Sequence, residues 1–111
     1  DALYEAAIEM PGVVRKGITV TLDLFFAGVE EIPHNKYKAA GALAVEMEIA
    51  ALFVVATLRG VRAGAIVALD GYADADLAAQ YDPHTNVVAE AVEREIAAAL
   101  RAIEKLAAEE R

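Results

Sequence analysis

Two carboxylates flank a thioether in the segment Val45-Glu46-Met47-Glu48, which lies where a short buried strand is predicted to give way to a helix. An ionised carboxylate has two acceptor oxygens and can accept hydrogen bonds from two adjacent hydroxyl groups at once. Such charge-assisted bonds are about twice as strong as neutral ones. The segment therefore indicates a binding site for a sugar with vicinal hydroxyls. Alternatively, Glu46 and Glu48 only complement the positive end of a helix dipole, and Met47 packs in the core.

Two more candidate groups follow predicted strands. From Gly17 the side chains alternate with a period of two, which places Phe25 on the polar face together with Asp23. Phe25 either offers a flat floor to a planar ligand or is an aromatic at the edge of the core. Asp70 ends a second apolar run, and Asp70-Gly71 also reads as a simple turn. Because ligands of open α/β sheets bind beyond the carboxyl ends of strands, these groups predict a site for a small polar ligand with one flat face.

The elements that must position these residues alternate between helix and strand. That order predicts an α/β layer fold. The predicted elements are a helix over 1–9, a strand over 17–26, a short helix over 34–40 ended by Gly41, a strand over 42–45, a helix over 46–58 closed by Arg59-Gly60, a strand over 63–69, and a long last helix with Asp82 as N-cap and Pro83 at its first position.

Apolar residues at helical spacing predict which faces of the last two helices point inward. In the helix over 46–58 this face holds Ile49, Leu52, Phe53 and Ala56. In the last helix it holds Val88, Val92, Ile96, Leu100, Ile103 and Leu106.

Composition excludes several classes of function. The 111 residues carry a formal charge of −8 with scattered Lys and Arg, which disfavours a nucleic-acid partner. There is no Cys, so thiolate nucleophiles and Cys-based zinc sites are excluded. His34 and His84 have no ligand-spaced partners, so no metal site is expected. No apolar run reaches membrane-spanning length and no export signal is visible, which favours a cytoplasmic protein without a membrane partner.

Residues 41 to 53, Gly-Ala-Leu-Ala-Val-Glu-Met-Glu-Ile-Ala-Ala-Leu-Phe, resemble the signature of the nucleoside phosphorylase family, which includes uridine phosphorylase and the hexameric purine nucleoside phosphorylases. The resemblance implies a three-layer α/β/α sandwich. Family members are more than twice as long as this chain, so residues 1–111 are expected to form the carboxyl-terminal part of a single domain whose amino-terminal half is absent. Such a fragment is expected to be inactive alone.

The resemblance assigns roles to individual residues. Glu48 would accept the 2′ and 3′ hydroxyls of ribose, Met47 would form the sugar wall, and Glu46 would be a supporting carboxylate. The segment Thr21-Leu22-Asp23-Leu24-Phe25-Phe26 is similar to the family segment whose first aromatic stacks on the nucleobase, a role that falls to Phe25. Asp70 resembles the acid with which the purine enzymes protonate the departing base.

The implied reaction is phosphorolysis of a ribonucleoside to free base and ribose 1-phosphate. It uses inorganic phosphate as co-substrate and no cofactor, and the family forms homo-oligomers, either hexamers or dimers. Arg62-Ala63-Gly64 looks closer to the uridine branch, so uridine phosphorylase is the first prediction, although Val29 and Glu31 stand where bacterial uridine enzymes carry a Gln and an Arg. The alternatives are a purine nucleoside or methylthioadenosine phosphorylase, a related nucleosidase, and a non-catalytic nucleoside-binding domain.

Overall fold

The computed structural model of the chain describes residues 1–26, 28–73 and 82–110. Within them, helices and strands alternate as the sequence predicts up to residue 59, in agreement with an α/β fold. The elements in chain order are α1 (Ala2–Ile8), β1 (Ile18–Thr21), α2 (His34–Ala39), β2 (Ala42–Glu46), α3 (Ile49–Arg59) and α4 (Asn86–Glu109). None of the helices in these ranges is both long enough and apolar enough to span a membrane.

The chain divides into two compact units. The first contains residues 1–16, 65–71 and the described residues of 81–111; the second contains residues 17–64 and the described residues of 72–80.

In the first unit, α1 packs against α4 through alanines. Ala6 and Ala7 of α1 and Ala98 and Ala102 of α4 are buried. Methyl side chains allow the two helix backbones to approach closely, and partly buried Leu3, Met10, Val14 and Ile66 surround them. The carboxyl-terminal part of α4 is also held electrostatically to the residue after α1, because the carboxylate of Glu9 lies 2.8 Å from Lys105 Nζ and 3.6 Å from Arg101 Nε.

In the second unit, β1 and β2 form a parallel pair. Thr21, the last residue of β1, lies opposite Glu46, the last residue of β2. Both strands therefore end at the same edge, and the chain enters α3 from there. The helices on either side of β2 end as the sequence predicts, because Gly41 and Gly60 take positive φ angles of 95° and 67°, which other residues adopt only with strain.

Several predicted elements differ from the structure. The strand predicted over 17–26 ends at Thr21, so Phe25 lies after β1 and not on the polar face of a strand. The predicted strand over 63–69 is wrong, since residues 61–70 contain no strand. A run of apolar residues favours a strand only if a neighbouring strand satisfies its backbone hydrogen bonds, and the described part of the sheet consists of β1 and β2. The helix predicted to start at Glu46 starts at Ile49, because Glu46 is still paired in β2.

The predicted start of the last helix is also wrong. Asp82 does not cap it: Asp82 Oδ1 accepts a hydrogen bond from His84 N at 3.0 Å and closes a turn before the helix. Thr85 is the N-cap, with Oγ1 accepting from Val88 N at 3.2 Å. Tyr81, which the sequence places beside Asp82, lies outside the described residues.

The predicted inward face of α4 is only partly buried among the described residues, with Val88 and Leu106 half-buried and the rest of the face exposed. Ile96 is 54% exposed, whereas Ala98 is 1% exposed. The helix packs on α1 through its alanines because only small side chains fit between the two backbones. In α3 the prediction holds for Ala56, which is buried, but Leu52 and Phe53 remain largely exposed.

Candidate functional site

Among the described residues of the second unit, the edge where β1 and β2 end carries the densest set of side-chain hydrogen bonds. Thr21 donates its hydroxyl hydrogen to Glu46 Oε1. Glu46 Oε2 accepts from the backbone N–H of Glu48 at 2.7 Å and from that of Ile49 at 2.6 Å. Thr21 Oγ1 in turn accepts from Ala50 N at 3.0 Å. Both oxygens of the Glu46 carboxylate thus accept hydrogen bonds from the protein.

These bonds cap α3. The first N–H groups of a helix have no partner within the helix and need one from elsewhere. For Ile49 and Ala50 the partners are Glu46 and Thr21. The negative charge of Glu46 also lies at the positive end of the helix dipole. Partial burial by itself would raise the pKa of Glu46, but the hydrogen bonds from Thr21, Ile49 and Glu48 outweigh it, so the pKa lies below its ordinary value of 4.5.

Glu48 occupies the N-cap position of α3, yet its side chain makes no capping hydrogen bond. An N-cap side chain normally accepts a hydrogen bond from the second or third residue of the helix. Because Thr21 already binds Ala50 N, that need is partly met without Glu48. The Glu48 carboxylate is exposed and makes no hydrogen bond or ion pair with the residues that the structure describes.

Met47 and Phe25 lie close to this edge in the chain. Met47, between the two glutamates, is 40% exposed. Phe25 follows β1, is 43% exposed, and meets Phe26 edge to face with ring centroids 5.0 Å apart. A half-exposed thioether and a half-exposed ring are therefore placed after the carboxyl ends of neighbouring parallel strands. Such an arrangement can bind a ligand with a hydroxylated part and a flat part.

Asp70 belongs to the first unit, whereas Phe25, Glu46, Met47 and Glu48 belong to the second. Asp70 is exposed and follows the segment that lacks the predicted strand. Four of the five predicted site residues thus lie in one unit, at or after the carboxyl ends of β1 and β2.

A surface depression of about 410 Å³ lies beside this edge, along the segment after β1. Asp23, Glu30, Glu31 and Tyr37 are among the residues that line it. None of Phe25, Glu46, Met47 and Glu48 does, so we do not assign the depression to the predicted ligand. Elsewhere, the described residues contain no group of three or more His, Cys, Asp and Glu side chains arranged to hold a metal ion.

Sequence reasoning missed Thr21. It stands on the polar face of the predicted strand, which is the only signal for it in the sequence. Its contact with Glu46, 25 residues further along the chain, follows from the parallel pairing and the register of the two strands. Neither can be read from the local pattern.

Comparison with known proteins identifies the family of the chain. The family model of the Phosphorylase superfamily matches residues 1–105, and the chain belongs to that superfamily. Two curated relatives, both purine nucleoside phosphorylases of Plasmodium falciparum, one of them from isolate 3D7, are 37% identical over 109 residues. The match covers 96% of this chain but 43% of each relative, so the chain spans less than half of their length. No solved structure matches significantly.

Proposed function

We propose that the complete protein is a nucleoside phosphorylase that cleaves the N-glycosidic bond of a purine ribonucleoside with inorganic phosphate. The observation that carries the proposal is that, of two neighbouring carboxylates, one caps α3 and the other does not. Glu46 caps α3 through Oε2 and accepts from Thr21 through Oε1, while Glu48 at the N-cap is exposed and makes no capping bond. A carboxylate left out of the cap in this way suits two adjacent hydroxyls of a ribose.

The roles of the other residues are part of the proposal. Met47 packs beside the sugar, and the ring of Phe25 stacks on the base. Asp70 protonates the departing base, a step that general acid catalysis accelerates by about 10²- to 10⁴-fold. The reaction needs no cofactor and no covalent nucleophile; phosphate is the co-substrate. Glu46 is the exception among the predicted ligands, because its oxygens already accept three hydrogen bonds from the protein.

The choice of a purine base rests on the names of the two relatives at 37% identity. Uridine, which Arg62-Ala63-Gly64 favours, becomes the alternative substrate. Val29 and Glu31 support this order, since they replace the Gln and Arg expected of bacterial uridine enzymes.

We further propose that the chain forms the carboxyl-terminal part of a three-layer α/β/α domain in a cytoplasmic homo-oligomer. The exposed apolar side chains of α3 and α4, such as Phe53 and Ile103, support this part of the proposal. Surfaces of this kind are normally buried against another element. The phosphate site would then lie in the remaining part of the protein.

The test is a cleavage assay of the complete protein with inosine, uridine and methylthioadenosine, each with and without phosphate. We expect phosphate-dependent release of hypoxanthine from inosine. Cleavage that is independent of phosphate would instead indicate a nucleosidase. Nucleoside binding by calorimetry without any cleavage would indicate a binding domain.

Two variants assign the roles. Glu48→Gln should lower kcat/KM for inosine by about 10- to 100-fold, because a hydrogen bond to a charged group is worth about 1.5–3 kcal/mol. The variant should affect 2′-deoxyinosine less, since that substrate lacks one of the two hydroxyls. Asp70→Asn should lower kcat, and unchanged turnover in this variant would remove the catalytic role of Asp70.

A further inference from the structure

The hydrogen bonds around Glu46 join three parts of the chain that are separate in sequence. Thr21 comes from β1, Glu46 from β2, and the N–H groups of Glu48, Ile49 and Ala50 from the start of α3. Thr21 binds at two points at once, since its hydroxyl donates to Glu46 and accepts from Ala50. We call these five residues the Thr21–Glu46 clamp.

The clamp fixes the backbone on both sides of the Glu48 side chain. The N–H of Glu48 itself is bound to Glu46 Oε2, and the two residues that follow are bound to Glu46 and Thr21. A fourth bond, from Leu22 N to Glu46 O at 2.7 Å, holds the end of β2 against the residue after β1. The Glu48 side chain therefore projects from a backbone segment that cannot shift without breaking several hydrogen bonds.

The clamp also provides acceptors for the first N–H groups of α3 in place of the Glu48 side chain. If the first N–H groups of α3 had no other acceptor, the side chain at the N-cap would be drawn toward them. With Thr21 and Glu46 serving Ala50 and Ile49, the Glu48 carboxylate stays out of the cap.

We propose that Thr21 is a positioning residue: through Glu46 it holds Glu48 in place to bind the ribose hydroxyls. This inference rests on the proposed function and deepens it. It also assigns Glu46 to the clamp rather than to direct contact with the sugar. Supporting residues of this kind matter because a misplacement of about 1 Å in a binding group can cost about 10²-fold in rate.

The matched control is Thr19, two residues earlier on the same face of β1. Its side chain makes no hydrogen bond with any of the described residues, and like Thr21 it is partly buried. Thr21→Val and Thr19→Val therefore make the same chemical change on the same strand, and only the first breaks the clamp. Thr21→Ser retains the hydroxyl and serves as the rescue variant.

The experiment compares inosine with 2′-deoxyinosine in the complete protein and its variants. A positioning role predicts that Thr21→Val lowers kcat/KM for inosine by about 10- to 100-fold. It predicts a much smaller loss for 2′-deoxyinosine, so that the preference for the ribonucleoside falls. Thr21→Ser should restore most of the preference, and Thr19→Val should leave it unchanged. In the double variant, Thr21→Val should lower kcat/KM for inosine little beyond the effect of Glu48→Gln, because the carboxylate that Thr21 positions is already gone.

Several outcomes would overturn the inference. If Thr21→Val behaves like Thr19→Val, Thr21 does not act through Glu48. The same holds if Thr21→Val lowers kcat/KM equally for inosine and 2′-deoxyinosine. The same conclusion would follow if the effects of Thr21→Val and Glu48→Gln on kcat/KM for inosine were fully additive in the double variant. If the wild-type protein shows no ribonucleoside preference that Glu48→Gln reduces, the hydroxyl-binding role of Glu48 fails and the inference fails with it, whereas an absence of phosphate-dependent cleavage would refute the proposed function itself. Circular dichroism and thermal denaturation of each variant establish that a loss of rate comes from folded protein.

Discussion

Glu46→Gln tests whether the carboxylate of Glu46 caps α3 as a charged group. In the wild-type chain Oε1 accepts from the Thr21 hydroxyl, and Oε2 accepts from Glu48 N and Ile49 N at 2.7 and 2.6 Å. Glutamine has nearly the same shape but only one acceptor oxygen. If that oxygen faces the helix, the amide NH₂ faces Thr21, and the bonds to the helix lose their charge assistance.

The size of the effect follows from these bonds. A hydrogen bond to a charged group contributes about 1.5–3 kcal/mol and a neutral one about 0.5–1.5 kcal/mol. Glu46 is only partly buried, so water replaces part of what is lost. Removal of a helix cap typically costs about 0.5–2 kcal/mol. We therefore expect Glu46→Gln to lower the free energy of unfolding by about 1–2 kcal/mol at pH 7.

The effect should depend on pH in one direction. Hydrogen bonding lowers the pKa of Glu46 in the folded protein below its ordinary value of 4.5 despite partial burial. A group with a depressed pKa stabilises the fold fully above its unfolded-state pKa, and this stabilisation is lost as the pH falls through the folded-state pKa. Glutamine does not titrate. The stability difference between wild type and Glu46→Gln should thus be largest near pH 7 and should shrink below pH 4.5.

Urea unfolding of the complete protein from pH 7 to pH 3, followed by circular dichroism, measures this difference. Glu48→Gln is the control, because the Glu48 side chain makes no capping bond, and it should change stability by less than about 0.5 kcal/mol. A difference between wild type and Glu46→Gln that stays constant or grows toward acid would refute the capping role of the Glu46 charge.

Two further predictions concern the first unit. Ala98→Leu should destabilise the protein by about 1–3 kcal/mol, because the side chain is buried between α4 and α1, whereas Ala97→Leu on the exposed side should be nearly neutral. Equal melting temperatures for these two variants would contradict the alanine packing. Thr85→Ala should cost about 1 kcal/mol as the loss of an N-cap, and Asp82→Ala should cost less; the reverse order in thermal denaturation would return the cap to Asp82.

The ends of α2 and α3 could be predicted from the sequence because a local rule decides them. Gly41 and Gly60 follow helical patterns, and glycine adopts positive φ without strain, so each marks a helix end whatever the rest of the chain does. The start of α4 was less determined. Asp82 and Thr85 are both competent caps, and the hydrogen bond of Asp82 to His84 N, rather than any difference in propensity, leaves the cap to Thr85.

Features that depend on a partner element could not be predicted. The apolar run over 63–69 has the composition of a strand, but composition does not supply a neighbouring strand. The prediction that the apolar stripe of α4 faces inward holds only in part, for a related reason. Periodicity finds the most hydrophobic face, which contains Ile96, whereas α1 selects the face on which it can approach most closely, which contains Ala98.

The candidate site depends both on a local sequence pattern and on contact with a partner element. By residue type and local pattern Glu46 and Glu48 are equivalent, since each is a carboxylate next to Met47 where a strand gives way to a helix, and the family resemblance alone distinguishes their roles. Their difference comes from the register of β1 and β2, which sets Glu46 opposite Thr21. That contact commits Glu46 to the helix, while two residues later Glu48 sits at an N-cap whose need for an acceptor is already partly met. The two carboxylates are therefore not redundant, because the first caps the helix and the second stays outside the cap, where the proposed function uses it.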